Sequence, residues 1–140
     1  MSDTNNGVPV VAHSQCVAED REAVIETLAR IGDKWTVMVV GTLAHGPMRY
    51  NQIRRLVEGI SQRMLTLTLK GLERDGLVSR TAFPTIPPRV DYELTDLGRK
   101  LIVPLRALYL WAVENRPAMV AARERHARIT KAQASVVSPL

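Results

Sequence analysis

The sequence predicts a mainly α fold carrying one small β-hairpin, an α+β domain, and three observations predict it. Apolar residues recur at helical spacing through five successive segments between Glu19 and Arg128. Between the fourth and fifth, "LVSRTAF" and "RVDYELT" have strand composition and flank "PTIPP", too proline-rich for anything but a hairpin tip. The fourth segment, within "ISQRMLTLTLKGLERDGLV", sets Leu65, Leu69 and Leu72 on one arc against Arg63, Thr66, Lys70 and Arg74 on the other, with no carboxylate among the latter.

The first helix runs from Glu19 to Ile31, where Val24, Leu28 and Ile31 share a face, and Gly32 closes it. Asp33 is placed to N-cap "KWTVMVVGTL", a helix apolar nearly all round and therefore central. Gly46 and Pro47 stop it. "MRYNQIRRLV" then turns Ile53, Leu56 and Val57 inward and its arginines outward, and Gly59 ends it. A break of about three residues leads to Ser61, a good N-cap for the next helix, which Gly76 ends. In the second strand Val90, Tyr92 and Leu94 alternate with Arg89, Asp91 and Glu93. The final helix, about Asp96 to Arg128, carries Leu97, Leu101, Leu105, Leu108 and Ala112 on one stripe. Pro104 is expected to kink it and Pro117 to interrupt it.

These elements organise as a mobile tail over 1–18, one domain over 19–128 and a C-terminal tail over 129–140. Within the domain, the two short helices at about 49–75 and the tight turn between them form a helix-turn-helix. The hairpin at about 77–94 adds a wing, and the last helix covers about 96–128. The fold class is therefore a winged helix-turn-helix with outer helices at both ends.

Composition narrows the function. Apolar residues make up 46% of the 140, enough for a core, and only 4% are aromatic, so that core is aliphatic. No run approaches the roughly 18 apolar residues of a membrane span, and no signal peptide opens the chain. A single cysteine cannot form an internal disulfide, which fits a cytoplasmic location. Nineteen Lys and Arg against 14 Asp and Glu favour a polyanionic partner. The excess is local: residues 49–63 hold Arg49, Arg54, Arg55 and Arg63 against Glu58 alone. A bare cationic helix face after a tight turn is suited to the major groove of double-stranded DNA, where phosphates repel carboxylates.

On that reading Ser61 is both N-cap and phosphate neighbour. Gln62 and Arg63 stand where the helix meets base edges, Arg63 able to fork onto guanine. Thr66 is placed for a thymine methyl and Lys70 for backbone. Arg49, Tyr50 and Asn51 open the preceding helix and can hold phosphate, as can Arg80 and Arg89 from the wing. Val24 and Leu28 in the first helix, with Leu101, Leu105, Leu108 and nearby Trp111 in the last, form apolar stripes that a small core cannot cover. They predict a homodimer built by the terminal helices, presenting two reading helices about 34 Å apart.

From Ile31 to Leu101 the chain resembles the HxlR family of bacterial transcription regulators, relatives of the MarR group. The resemblance rests on Gly-x-Lys-Trp at Gly32 to Trp35, Gly-Pro at Gly46 and Pro47, and Ile-Ser-x-Arg at Ile60 to Arg63. Leu-Glu-x-x-Gly-Leu-Val enters the wing and Tyr-x-Leu-Thr-x-x-Gly leaves it. It implies a homodimer on a pseudo-palindromic operator, most often as a repressor. Some members sense electrophiles or oxidants through an N-terminal cysteine. Cys16 is the candidate, although Val17 follows it where the family has proline. Glu19, Asp20 and Glu22 crowd that turn, so the thiol is expected near its ordinary pKa of about 8.5. A small-molecule inducer is the other signal such a dimer can take.

Other functions fit less well. His13, His45 and His126 are scattered, so no metal is expected, and no cofactor motif or catalytic constellation stands in the sequence. The chain is therefore expected not to be an enzyme, and it has no room for a nucleotide-binding fold beside the winged helix. The alternative is a winged-helix interaction or dimerisation module that never touches DNA; such modules usually lose the cationic face.

Overall fold

The computed structural model describes residues 18–137, so Cys16 and the tail before Ala18 lie outside the described residues. The chain folds in the order α1 (Ala18–Ile31), α2 (Lys34–Leu43), β1 (Met48–Arg49), α3 (Tyr50–Leu56), α4 (Gln62–Arg74), β2 (Val78–Phe83), β3 (Arg89–Leu94) and α5 (Asp96–Val137). This is a mainly helical winged helix-turn-helix with a small antiparallel sheet.

Local chemistry accounts for most boundaries. The Asp33 carboxylate accepts from the Trp35 amide at 3.0 Å and starts α2, and the Ser61 hydroxyl accepts from the Met64 amide at 3.1 Å and starts α4. Helix α4 ends at Arg74, and Gly76 turns the chain with a φ of +74°, a conformation that disfavours any side chain.

The core is aliphatic. Val39, Val40 and Leu43 of α2 pack with Ile53 and Val57 at α3, Ile60 in the turn, Leu65, Leu69 and Leu72 of α4, Val78 of β2 and Leu94 of β3. Leu65 and Leu72 are fully buried, and truncating such a leucine to alanine costs about 2–5 kcal/mol. These leucines hold one face of α4 down and leave the other outward. Leu56, predicted to point inward with Val57, is instead 62% exposed. Helix α3 ends there and Val57 leaves the helix, so the 3.6-residue period no longer applies.

The wing pairs β2 with β3 from Val78 opposite Leu94 to Phe83 opposite Arg89. The two-residue strand β1, too short to show in the sequence, pairs with the other side of β3, Met48 opposite Tyr92 and Arg49 opposite Asp91. Strand β3 is therefore central. That is why Asp91 and Glu93, on the face predicted to be exposed, are half-buried, whereas β2 at the edge is exposed beyond Val78.

Thr95 joins the wing to α5. Its backbone amide donates to the Leu77 carbonyl, its hydroxyl donates to the Gly76 carbonyl at 2.6 Å, and that oxygen accepts from the Gly98 amide at 3.1 Å. Gly98 is buried directly against the Leu77 carbonyl, where a Cβ has no space.

Helix α5 corrects the sequence reading at its far end. It runs 42 residues, through Pro104 and Pro117, and continues to Val137, where an interruption at Pro117 and an end near Arg128 were predicted. Each proline removes one helical amide donor, but both sit on exposed positions where water can satisfy the freed carbonyl.

Candidate nucleic-acid interface

Helix α4 presents its outer face beside the openings of α3 and the wing. Ser61, Gln62, Arg63 and Lys70 are exposed, and neither Arg63 nor Lys70 makes an ion pair among the described residues. The carboxylates of this stretch, Glu73 and Asp75, lie at its far end. Asp75 is held by Arg30 of α1 through Nε to Oδ2 at 2.6 Å. The N-terminal two-thirds of α4 is thus left with cations, amides and hydroxyls.

Two predicted contacts turn out to be occupied inside the protein. The Tyr50 hydroxyl donates to the Gln62 carbonyl at 2.8 Å and lies 3.0 Å from the Thr66 hydroxyl. Both side chains are half-buried, so Tyr50 pins the start of α3 to the first turns of α4. Between Arg63 and Lys70 stands Leu67, 53% exposed, which the sequence reading passed over as one of several leucines. Its place four residues after Arg63 and three before Lys70 puts it on the outer face, and that spacing was the available signal. Leu67 is thus the more exposed apolar group on this face, and Thr66 is half-buried beside Tyr50.

Arg49 and Asn51, exposed as predicted, line an open depression with Gln52, Arg54 and Arg55. The sequence predicts Arg54 and Arg55 to point outward without assigning them a role; the fold brings them together with Arg49. The Gln52 side-chain oxygen accepts from the Arg49 amide at 2.9 Å, fixing the entry to α3.

The wing arginines differ. Arg80 is exposed and makes no ion pair among the described residues. Arg89 is bound in a two-pronged bridge to Asp91, Nε to Oδ1 at 2.9 Å and Nη2 to Oδ2 at 2.8 Å, and lies over the Phe83 ring. The bridge holds the Asp91 carboxyl below its ordinary pKa, chiefly by the hydrogen bond from Arg89, with Arg49 opposite adding to the field. Arg89, expected from the sequence as a phosphate contact, is thus held as half of a neutral pair.

The terminal helices leave their apolar faces open. Val24, Leu28, Leu108 and Trp111 are each more than half exposed. Leu105 is half-buried against the core, and Leu101 lines an open groove of about 1040 Å³ with Arg30, Arg74, Asp75 and Lys100. Leu105 therefore packs on the body of the protein itself, unlike the open positions beyond it.

Comparison with known proteins decides the family. A model described as HxlR-like helix-turn-helix matches residues 30–119. The chain belongs to this family. HxlR-like relatives include the HTH-type transcriptional regulator YtfH of Escherichia coli K12, 36% identical over 102 residues, or 73% of this chain and 81% of that one. Among solved structures, the regulator ytfH from Salmonella typhimurium superposes with a TM-score of 0.65 at 36% identity, covering 72% of this chain and 90% of its own. The redox regulator HypR in its reduced form gives 0.66 at 38% identity, over 71% and 98%. The protein is thus a transcriptional regulator of a family that consists of regulators rather than enzymes. No described helix is long and apolar enough to cross a membrane.

Proposed function

We propose that this HxlR-like regulator binds a pseudo-palindromic DNA operator as a homodimer in the cytoplasm and represses the gene beside it. The observation that carries the reading is the outer face of α4. Gln62, Arg63, Leu67 and Lys70 stand exposed, with neither Arg63 nor Lys70 paired to a carboxylate among the described residues. Arg49, Arg54, Arg55 and Arg80 are exposed on β1, α3 and the wing. Gln62, Arg63 and Leu67 can read base edges, and the surrounding cations hold phosphates. The open apolar faces of α1 and α5 support the homodimer, because a monomer leaves them in water.

Two signals are compatible with this architecture. A thiol signal would enter through Cys16, and the likeness to a redox regulator supports testing it. A small-molecule inducer would find the groove beside Arg30, Lys100 and Leu101. Loss of operator binding on diamide treatment, reversed by thiol and absent in Cys16→Ser, identifies the first.

The deciding experiment is a gel shift on the DNA upstream of the protein's own gene, with unrelated duplex as competitor. Retention that resists the competitor is expected. Failure to retain any duplex at low salt would favour an interaction module that does not touch DNA.

A further inference from the structure

The distal half of α5 lies largely beyond the family match, which ends at residue 119, and no element among the described residues covers it. A line of uncharged residues, six apolar and three polar, runs along it at regular spacing. Leu108, Ala112, Asn115, Met119, Ala122, His126, Ile129, Gln133 and Val136 follow one another at alternating steps of four and three residues. None of these nine is charged. All seven charged residues in the interval, Glu114, Arg116, Arg123, Glu124, Arg125, Arg128 and Lys131, fall at other positions. Pro117 falls on the side of the helix farthest from this line.

A strict spacing of 3.5 residues does not follow a straight helix, whose period is 3.6. It stays on one side only when the helix winds around a second helix. The partner must therefore be a long helix with the same repeat. Among the described residues no helix but α5 exceeds fourteen residues. The matching helix is α5 of another copy.

Direction follows from length and charge. At about 1.5 Å per residue α5 is about 63 Å long. Antiparallel pairing along the whole helix would put the two winged helices at opposite ends, whereas two half-sites one DNA turn apart need them about 34 Å apart. It would also set the flanking row of Arg116 and Arg123 against its own copy. Parallel pairing instead sets Trp111 beside the partner's Arg116, Ala118 beside the partner's Arg123 and Arg125 beside the partner's Thr130, with no like charges opposed.

We propose that Leu108–Val136 of α5 is a parallel coiled-coil seam whose occupant is the same segment of a second copy of this chain. This rests on the homodimer reading and extends it past residue 119, where the family match ends. Asn115 of each copy then meets its counterpart across the two-fold axis, where a polar pair fixes register at some loss of strength. With Ala112, Ala122, His126 and Gln133 also in the seam, the distal coil tightens a dimer and does not form one unaided.

The test places single cysteines in the full chain on a Cys16→Ser background. Under mild oxidation Ile129→Cys is expected to form a disulfide-linked dimer rapidly, and Ala127→Cys, two residues away and off the seam, is not. In sedimentation, Ile129→Glu should raise the dimer dissociation constant at least tenfold while the circular dichroism of the core is unchanged. A protein that sediments as a dimer yet crosslinks no better at 129 than at 127, or that tolerates Ile129→Glu, overturns the seam and leaves the homodimer standing. A full-length chain that is monomeric at the highest concentrations used for DNA binding overturns both.

Discussion

The Tyr50 hydroxyl sits between two parts of α4, donating to the Gln62 carbonyl at 2.8 Å and lying 3.0 Å from the Thr66 hydroxyl. A phenol has one proton, and it is committed to Gln62, so Thr66 donates to Tyr50. The arrangement fixes the first turns of α4, where the proposed base-reading residues stand, to the first residue of α3. Tyr50→Phe removes both bonds and changes little else. Each is worth about 0.5–1.5 kcal/mol, so the thermal midpoint should fall modestly. Operator affinity should fall more than affinity for random duplex, because the cations remain and only their aim is loosened. Equal losses on both DNAs would show that Tyr50 does not position the reading face.

Arg63 and Lys70 share that face but predict different behaviour. Arg63→Ala is expected to cost about 1–3 kcal/mol on the operator and to relax preference at one base position in each half-site. Lys70→Ala should weaken operator and random DNA alike and flatten the slope of log affinity against log salt by about one unit. Titrations at several salt concentrations check both. Unchanged operator affinity for Arg63→Ala would displace α4 from the major groove.

Much of this face was legible in the sequence because its signals are local. Capping by Asp33 and Ser61, the glycine after α4 and the alternation into Leu94 all act within a few residues. The Arg89–Asp91 bridge was not legible, because the two lie on the same strand, two residues apart, and alternation alone does not show whether their side chains meet. Tyr50 and Thr66, sixteen residues apart, became partners only through the turn geometry between α3 and α4. Leu67 was hidden among leucines whose burial depends on which arc packs inward. The length of α5 was underestimated for a different reason: proline penalties are local, and a helix with bonds on both sides can absorb them.

The Arg89–Asp91 bridge makes a prediction in two conditions. Asp91→Asn releases the Arg89 guanidinium, so binding to any duplex should tighten and the salt dependence steepen by up to about one unit. For stability the sign follows from the lowered Asp91 pKa. An aspartate held below its unfolded value of about 3.9 stabilises the fold fully above that pH and loses the contribution as pH falls through the folded value. Melting curves should therefore show the parent more stable than Asp91→Asn at neutral pH, with the gap closing below about pH 4. A gap that persisted into strong acid would assign the effect to packing instead of charge.

Thr95 and Gly98 lie away from the proposed DNA contacts, yet they decide how α5 leaves the wing. Thr95 both caps α5 through Gly98 and holds the Gly76 carbonyl, so Thr95→Val removes a cap and leaves a carbonyl unpaired. A cost of about 1–2 kcal/mol is expected, and Thr95→Ser should recover most of it. Gly98→Ala is more severe, because its Cβ would be driven into the Leu77 backbone, which cannot swing aside as a side chain can. The helix must then shift as a body, taking with it the apolar face proposed to meet a second copy. The variant should melt several degrees lower and dimerise more weakly, while a gel shift at protein concentrations high enough to restore the dimer should recover operator binding. If Gly98→Ala instead kept the parent's melting temperature and dimer affinity, the close approach of α5 to Leu77 would not be what fixes this helix on the domain.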